Sequence, residues 1–142
     1  MAQHSVENKN TIKPKPFSWK DRLKSFVYAY RGIRRFVKEE HNAWLHGIAT
    51  FVVLVMAIVF AISQMEWMLL VFAMGLVWVT EILNTSIEKL VDGVANERNE
   101  HWAYVKDAAA GGVLIAAVIA FIIGGVIFLP KIYDWIVCFL KI

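Results

Sequence analysis

WMLLVFAMGLVWVTEILNTSIEKLVD, residues 67–92, decides how this chain must be read. Its first 14 residues, Trp67 to Thr80, carry no charge, and Glu81, Glu88, Lys89 and Asp92 follow at once. At about 1.5 Å of rise per residue, a bilayer core of about 30 Å takes some 20 residues of helix. A helix that crosses here must therefore continue through the acids to Leu90. The span predicted over 67–90 carries its own carboxylates.

The flanking runs set the class. Residues 45–63 are nearly pure hydrocarbon apart from His46 and Thr50, with Gln64, Met65 and Glu66 read as the stop and a short turn before the next span. Residues 108–129 form 22 uncharged positions, with Pro130 and Lys131 read as the end. With 58% hydrophobic residues, 15 basic and 12 acidic, the 142-residue chain has no room for a separate soluble catalytic domain. The expected fold is all-α integral membrane: three transmembrane helices in a single embedded domain over 17–142, after a basic, disordered segment over 1–16. That segment lacks the apolar core of a secretory signal, so the first span is expected to direct insertion. The lone Cys138 excludes an internal disulfide and a cysteine metal cluster.

Ten of the 15 basic residues precede Glu40, and Lys89, Arg98 and Lys106 flank the connection between the second and third spans. By the positive-inside rule both segments face the cytoplasm, and the tail from Lys131 faces outward. Over 19–38, Trp19, Leu23, Phe26, Val27, Tyr30, Ile33 and Val37 recur at helical spacing, with Lys and Arg around much of the remaining circumference. This predicts an amphipathic helix in the interface, attracted by anionic lipid; a plain polybasic anchor fits the same pattern.

Glu81, Asn84, Glu88 and Asp92 share one face of the second span near its cytoplasmic boundary. Ionisable groups at membrane depth cost several kcal/mol unless paired or used, which makes them functional candidates. Glu88 and Asp92 have a second reading, as headgroup-level charges paired with Lys89 or Arg98. If the first two spans are antiparallel, Glu40 and Glu88 reach one depth and can share a magnesium ion, which binds through one or two carboxylates plus phosphates. The loop 93–107 adds Glu97, Arg98, Asn99, Lys106 and Asp107, acceptors for ribose and a cation for phosphate, although such loops are often only solvated.

No phosphate-binding glycine loop, dinucleotide turn or HExxH helix is present. His41, His46 and His101 are not at ligand spacing on one helix, and His46 and His101 read as interfacial or core residues. Trp67 and Trp78 read as packing and interfacial anchors, and Ala108 to Gly112 as a surface for close helix approach. A small transporter or adaptor with an acidic path is the non-enzymatic alternative; a lipid phosphatase would want a histidine nucleophile or clustered arginines.

EILNTSIE (81–88) with Asp92, then KDAAAG (106–111) after a polar loop of fitting length, resembles the prokaryotic diacylglycerol kinase family. The similarity extends to YAYRGI (28–33), Lys38, Glu39 and Glu40, and to IFLPK (127–131), an ending like that of the branch with the Gram-positive undecaprenol kinases. The resemblance implies a homotrimeric integral-membrane lipid kinase of the bacterial inner membrane. Such an enzyme uses ATP and magnesium to phosphorylate diacylglycerol or undecaprenol. By motif position it implies Glu81 as catalytic base, Glu40 and Glu88 as metal carboxylates, and Asn84 beside the base. Tyr28, Glu97, Arg98, Asn99, Lys106 and Asp107 fall where the family contacts ATP, and Ala110 near the lipid. Ala43 and Trp44 stand where the family commonly has an aromatic followed by a basic residue, and Arg98 where some relatives carry an aromatic.

Overall fold

A computed structural model describes residues 17–95, 97 and 99–140; the expected disordered segment 1–16 and Arg98 lie outside them. Four helices follow in order: α1 Trp19–Glu39, α2 His41–Val59, α3 Gln64–Val94 and α4 Glu100–Leu140. The last three are long and apolar enough to cross a membrane.

Local chemistry sets the helix ends. Ser18 caps α1 by accepting from the Asp21 amide, and Asp21 itself sits in the first turn, where an acid complements the helix dipole. At the other end Glu40 is extended, donates its backbone N–H to the Phe36 carbonyl, and is at once the last cap of α1 and the first of α2. The two helices share one joint residue.

α2 ends four residues short of the expected boundary at 63. The amide of Ile62 donates to the Ala57 carbonyl and that of Ala61 to Ile58, the paired bonds of a Schellman cap, with Ala61 left-handed at φ 45°. Ile62 and Ala57 are both buried in the same apolar cluster, which supplies the contact that usually accompanies this cap. Gln64, Met65 and Glu66, expected to stop the first span, are instead the first turn of α3. Ser63 accepts from the Glu66 amide while Glu66 Oε2 accepts from the Ser63 amide at 2.6 Å, a complete capping box. The turn is correspondingly shifted to residues 60–63.

α4 also departs from expectation, since it runs through Pro130 to Leu140. Proline withdraws one N–H from the helical ladder, a loss a helix survives when its next turn is held from outside. Here Lys131 Nζ lies 3.1 Å from Glu66 Oε1, and Ile132 packs on the cluster of Ala57, Ile62, Leu70, Ile127 and Phe128. α3 and α4 form the principal helix pair, and α2 meets α3 more sparingly. Leu114, Val126, Phe72 and Ile58 are exposed, a surface that needs hydrocarbon or another protein against it.

Because a residue other than glycine in the left-handed region costs about 1 kcal/mol or more, Ala61→Gly is expected to stabilise the protein by up to about 1 kcal/mol. Thermal unfolding in detergent checks this, and an unchanged or lower midpoint refutes the strain at Ala61.

Candidate active site

The acidic face of α3 turns into the molecule at one end and out of it at the other. Glu81 is only 2% exposed and Asn84 6%, Glu88 is half-buried, and Asp92 lies at the surface. The i, i+3, i+7 spacing thus places two polar side chains inside the bundle and delivers the later two to its edge.

Each of the four has a different environment. Glu81 Oε2 lies 3.7 Å from His46 Nε2 on α2, beyond hydrogen-bond length and within ion-pair range. The Asn84 amide nitrogen donates to Glu88 Oε1 at 2.9 Å, while its carbonyl oxygen is buried without a partner. Asp92 accepts from Lys106 Nζ at 2.9 Å, which closes α3 on α4 across the connecting loop. The alternative reading, in which Lys89 or Arg98 neutralises Glu88 and Asp92, does not describe Lys89: its ammonium goes to α1, 2.7 Å from Glu40 Oε1 and 3.2 Å from Glu39 Oε2. Lys89 therefore ties Glu40 to α3, from the residue next to Glu88.

A cavity of about 410 Å³ opens where α3, the loop and α4 meet, lined by Asp92, Glu97, Asn99, Trp102, Lys106 and Asp107. Asn99 Oδ1 accepts from the Trp102 amide at 3.0 Å and so caps the start of α4, which fixes the indole at the cavity wall. A second hollow of about 410 Å³ is apolar and runs between α2, α3 and α4 from His46 and Thr50 to Phe128. The expected residues divide accordingly. Glu97, Asn99, Lys106 and Asp107 come together around the first cavity, and Glu81 with Asn84 lies buried in α3. Glu40 and Glu88 are linked through Lys89 and Asn84 respectively. Tyr28 is exposed on α1 and Ala110 exposed on α4, and neither lines the loop cavity.

Two residues lie outside the sequence reading of the site. His46 has no ligand partner on its own helix, and the group it faces is Glu81, on the adjacent one. Trp102 stands among charges that dominate the pattern of 93–107, although an aromatic three residues after a capping Asn is a legible sign of a ring at a helix start.

Residues 27–128 match the family described as prokaryotic diacylglycerol kinase. The chain is similar to the undecaprenol kinase of Bacillus subtilis (strain 168), with 41% identity over 110 residues that cover 78% of this chain and 89% of that protein. It is also similar to the diacylglycerol kinase of Synechocystis sp. (strain ATCC 27184 / PCC 6803 / Kazusa), 32% over 116 residues covering 81% and 66%. To the diacylglycerol kinase of Escherichia coli (strain K12) it is 31% identical over 100 residues, covering 70% and 82%.

The contacts around Lys89 carry a pH dependence. Hydrogen bonds from Arg35, then from Lys89, hold the Glu39 carboxyl below the usual carboxylate range. A lowered folded-state pKa contributes stability above the ordinary carboxylate value, and that contribution is lost as pH falls through the folded value. The attachment of α1 to α3 is thus expected to hold at neutral pH and to loosen below pH about 4, and Glu39→Gln to diminish that step while Glu40 stays on Lys89. Distances between spin labels on α1 and α3 across an acid titration check it; an identical acid response in the Gln variant refutes it.

Proposed function

This chain belongs to the prokaryotic diacylglycerol kinase family and is a lipid kinase, and we propose that it transfers the γ-phosphoryl group of ATP to the primary hydroxyl of undecaprenol at the cytoplasmic face of the bacterial inner membrane. One observation carries the reading. Glu81 is buried inside a helix long enough to span a membrane, and one turn further on the Asn84 carbonyl oxygen is buried with nothing to accept from. Two polar side chains kept at such cost mark the place where a polar group must arrive inside hydrocarbon. Undecaprenol is preferred to diacylglycerol by the higher identity to the undecaprenol kinase. The apolar hollow that begins at His46 offers its tail a path beside Glu81.

In this reading the lipid hydroxyl gives its proton to Glu81 as its oxygen attacks the γ-phosphorus, and ADP leaves. Asn84 holds the hydroxyl, with Ala110 toward the lipid. Lys106 exchanges Asp92 for the phosphates, Glu97 and Asn99 take the nucleotide from the loop with Arg98, Asp107 takes it from α4, and Tyr28 from α1. Glu40 and Glu88 suit magnesium. Among the described residues no group of three or more His, Cys, Asp or Glu forms a complete protein cage. Two carboxylates, with Glu40 Oε1 on Lys89 and Glu88 Oε1 on Asn84, offer one further oxygen each to an ion that takes its other ligands from phosphate and water. When bound, magnesium neutralises phosphate charge.

We further propose that α1 lies amphipathically in the interface. The exposed apolar faces of the spans meet copies of this chain in a homotrimer, whose neighbours complete walls that three spans leave open. The excess of basic residues in the first helix and around the α3 to α4 loop supports a cytoplasmic setting for both. A non-enzymatic acidic path gives no reason for the nucleotide-sized cavity at Lys106.

Purified protein with labelled ATP, magnesium, and undecaprenol or diacylglycerol separately tests the substrate, and phosphate appearing on diacylglycerol alone overturns the acceptor. Glu81→Gln keeps volume and removes the basic oxygen, so turnover is expected to fall about 100-fold or more with ATP affinity little changed. Near-normal turnover excludes Glu81 as base.

Glu40→Gln and Glu88→Gln are each expected to raise the magnesium concentration needed for half-maximal turnover. Wild-type magnesium dependence in both displaces the metal from these residues.

A further inference from the structure

His46 and Thr50 stand one helical turn apart on α2, and Trp78 and Glu81 one turn apart on α3, so the facing helices meet in a ladder of two polar rungs. On one rung the Trp78 indole N–H donates to Thr50 Oγ1 at 3.0 Å. On the other His46 Nε2 faces Glu81 Oε2 at 3.7 Å. The rungs brace each other, because the Trp78 ring stands edge-on to the imidazole with centroids 6.4 Å apart and is itself backed by Phe36 of α1 at 6.2 Å. His46 is three-quarters buried between the apolar hollow and Glu81. A histidine whose only duty was to fill space against hydrocarbon would not need a ring nitrogen aimed at the most buried acid in the chain.

Resting on the kinase reading above, we propose that His46 is a positioning residue for Glu81: its Nε2–H holds Oε2, so that Oε1 is turned to the incoming lipid hydroxyl. A carboxylate base has two oxygens and rotates freely about its last bond unless one is held. A third group that orients the base is a recurring requirement of proton-abstracting sites. The 3.7 Å separation suits a site without substrate, where such bonds are long and tighten in the complex. Of the other polar groups on the packed elements, Asn84 and Glu88 bond to each other and Glu40 bonds to Lys89. Among the described residues His46 is the one partner that approaches Glu81 at ion-pair distance.

The stereochemistry of the side chains gives the test. Glutamine carries an amide nitrogen the same number of bonds from the backbone as histidine Nε2; asparagine reaches only as far as Nδ1; leucine keeps bulk and has no donor. On full-length protein in lipid, His46→Leu and His46→Asn are expected to lower kcat at least about tenfold, with KM for ATP and lipid alcohol within about threefold, and His46→Gln to recover most of it. In a Glu81→Gln background His46→Leu is expected to cost little more, because the oxygen it positions is gone. A flat kcat across the series, or a loss of equal size with and without Glu81, overturns the proposal while leaving the kinase reading intact. Failure of the wild-type protein to phosphorylate either lipid removes both. If the Leu variant does not fold, the comparison of Gln with Asn decides alone, since both are polar and soluble in the same pocket.

Discussion

A carboxyl group surrounded by hydrocarbon must be answered by something in the fold, and Glu81 imposes that demand on everything around it. His46 meets it from α2. Holding α2 at that distance then requires the Thr50 and Trp78 rung, since the two helices otherwise touch little. One turn beyond, Asn84 ties Glu88, and one residue further Lys89 ties Glu39 and Glu40 at the end of α1. The helix with the most polar cargo is thus the one that every other element is fastened to.

The two ends of the bundle are built on different physics. At the end distant from Glu81, Ala57, Ile62, Leu70, Ile127 and Phe128 close an apolar cluster, clamped by the Ser63 and Glu66 capping box and the Glu66 to Lys131 pair. Packing of that kind is short-ranged and leaves little freedom. At the other end the links are ion pairs between long, partly exposed side chains, individually weak and easily exchanged for a phosphate or a cation. A rigid end and an exchangeable end suit the phosphoryl transfer proposed above.

The sequence made the first and third long helices legible because uncharged runs of such length have one physical use, and the second only by continuing through its acids. Their ends were less legible. Ser63 and Glu66 form a capping box visible as S-x-x-E, yet polar residues after an apolar run also read as a stop, and only the start of α3 decides between them. Pro130 was read from local propensity as a terminator, and what keeps α4 going is tertiary: Lys131 on Glu66 and Ile132 on the cluster. The acidic face of α3 was readable from spacing, but the partners were not. Nothing local tells His46 that Glu81 will stand opposite, or Lys89 that it will turn to α1 rather than to its neighbours Glu88 and Asp92.

The joint at Glu40 leaves no slack between α1 and α2. One extended residue is both the hinge pin and the side chain presented to the polar end of α3, so α1 acts as a lever arm whose tilt is transmitted directly to that carboxylate. A residue inserted into the first turn of α2 would turn the rest of that helix by about 100° about its axis, swinging His46 and Thr50 off the seam together. The seam where His46 meets Glu81 is in this way tied to the residue at which α1 ends.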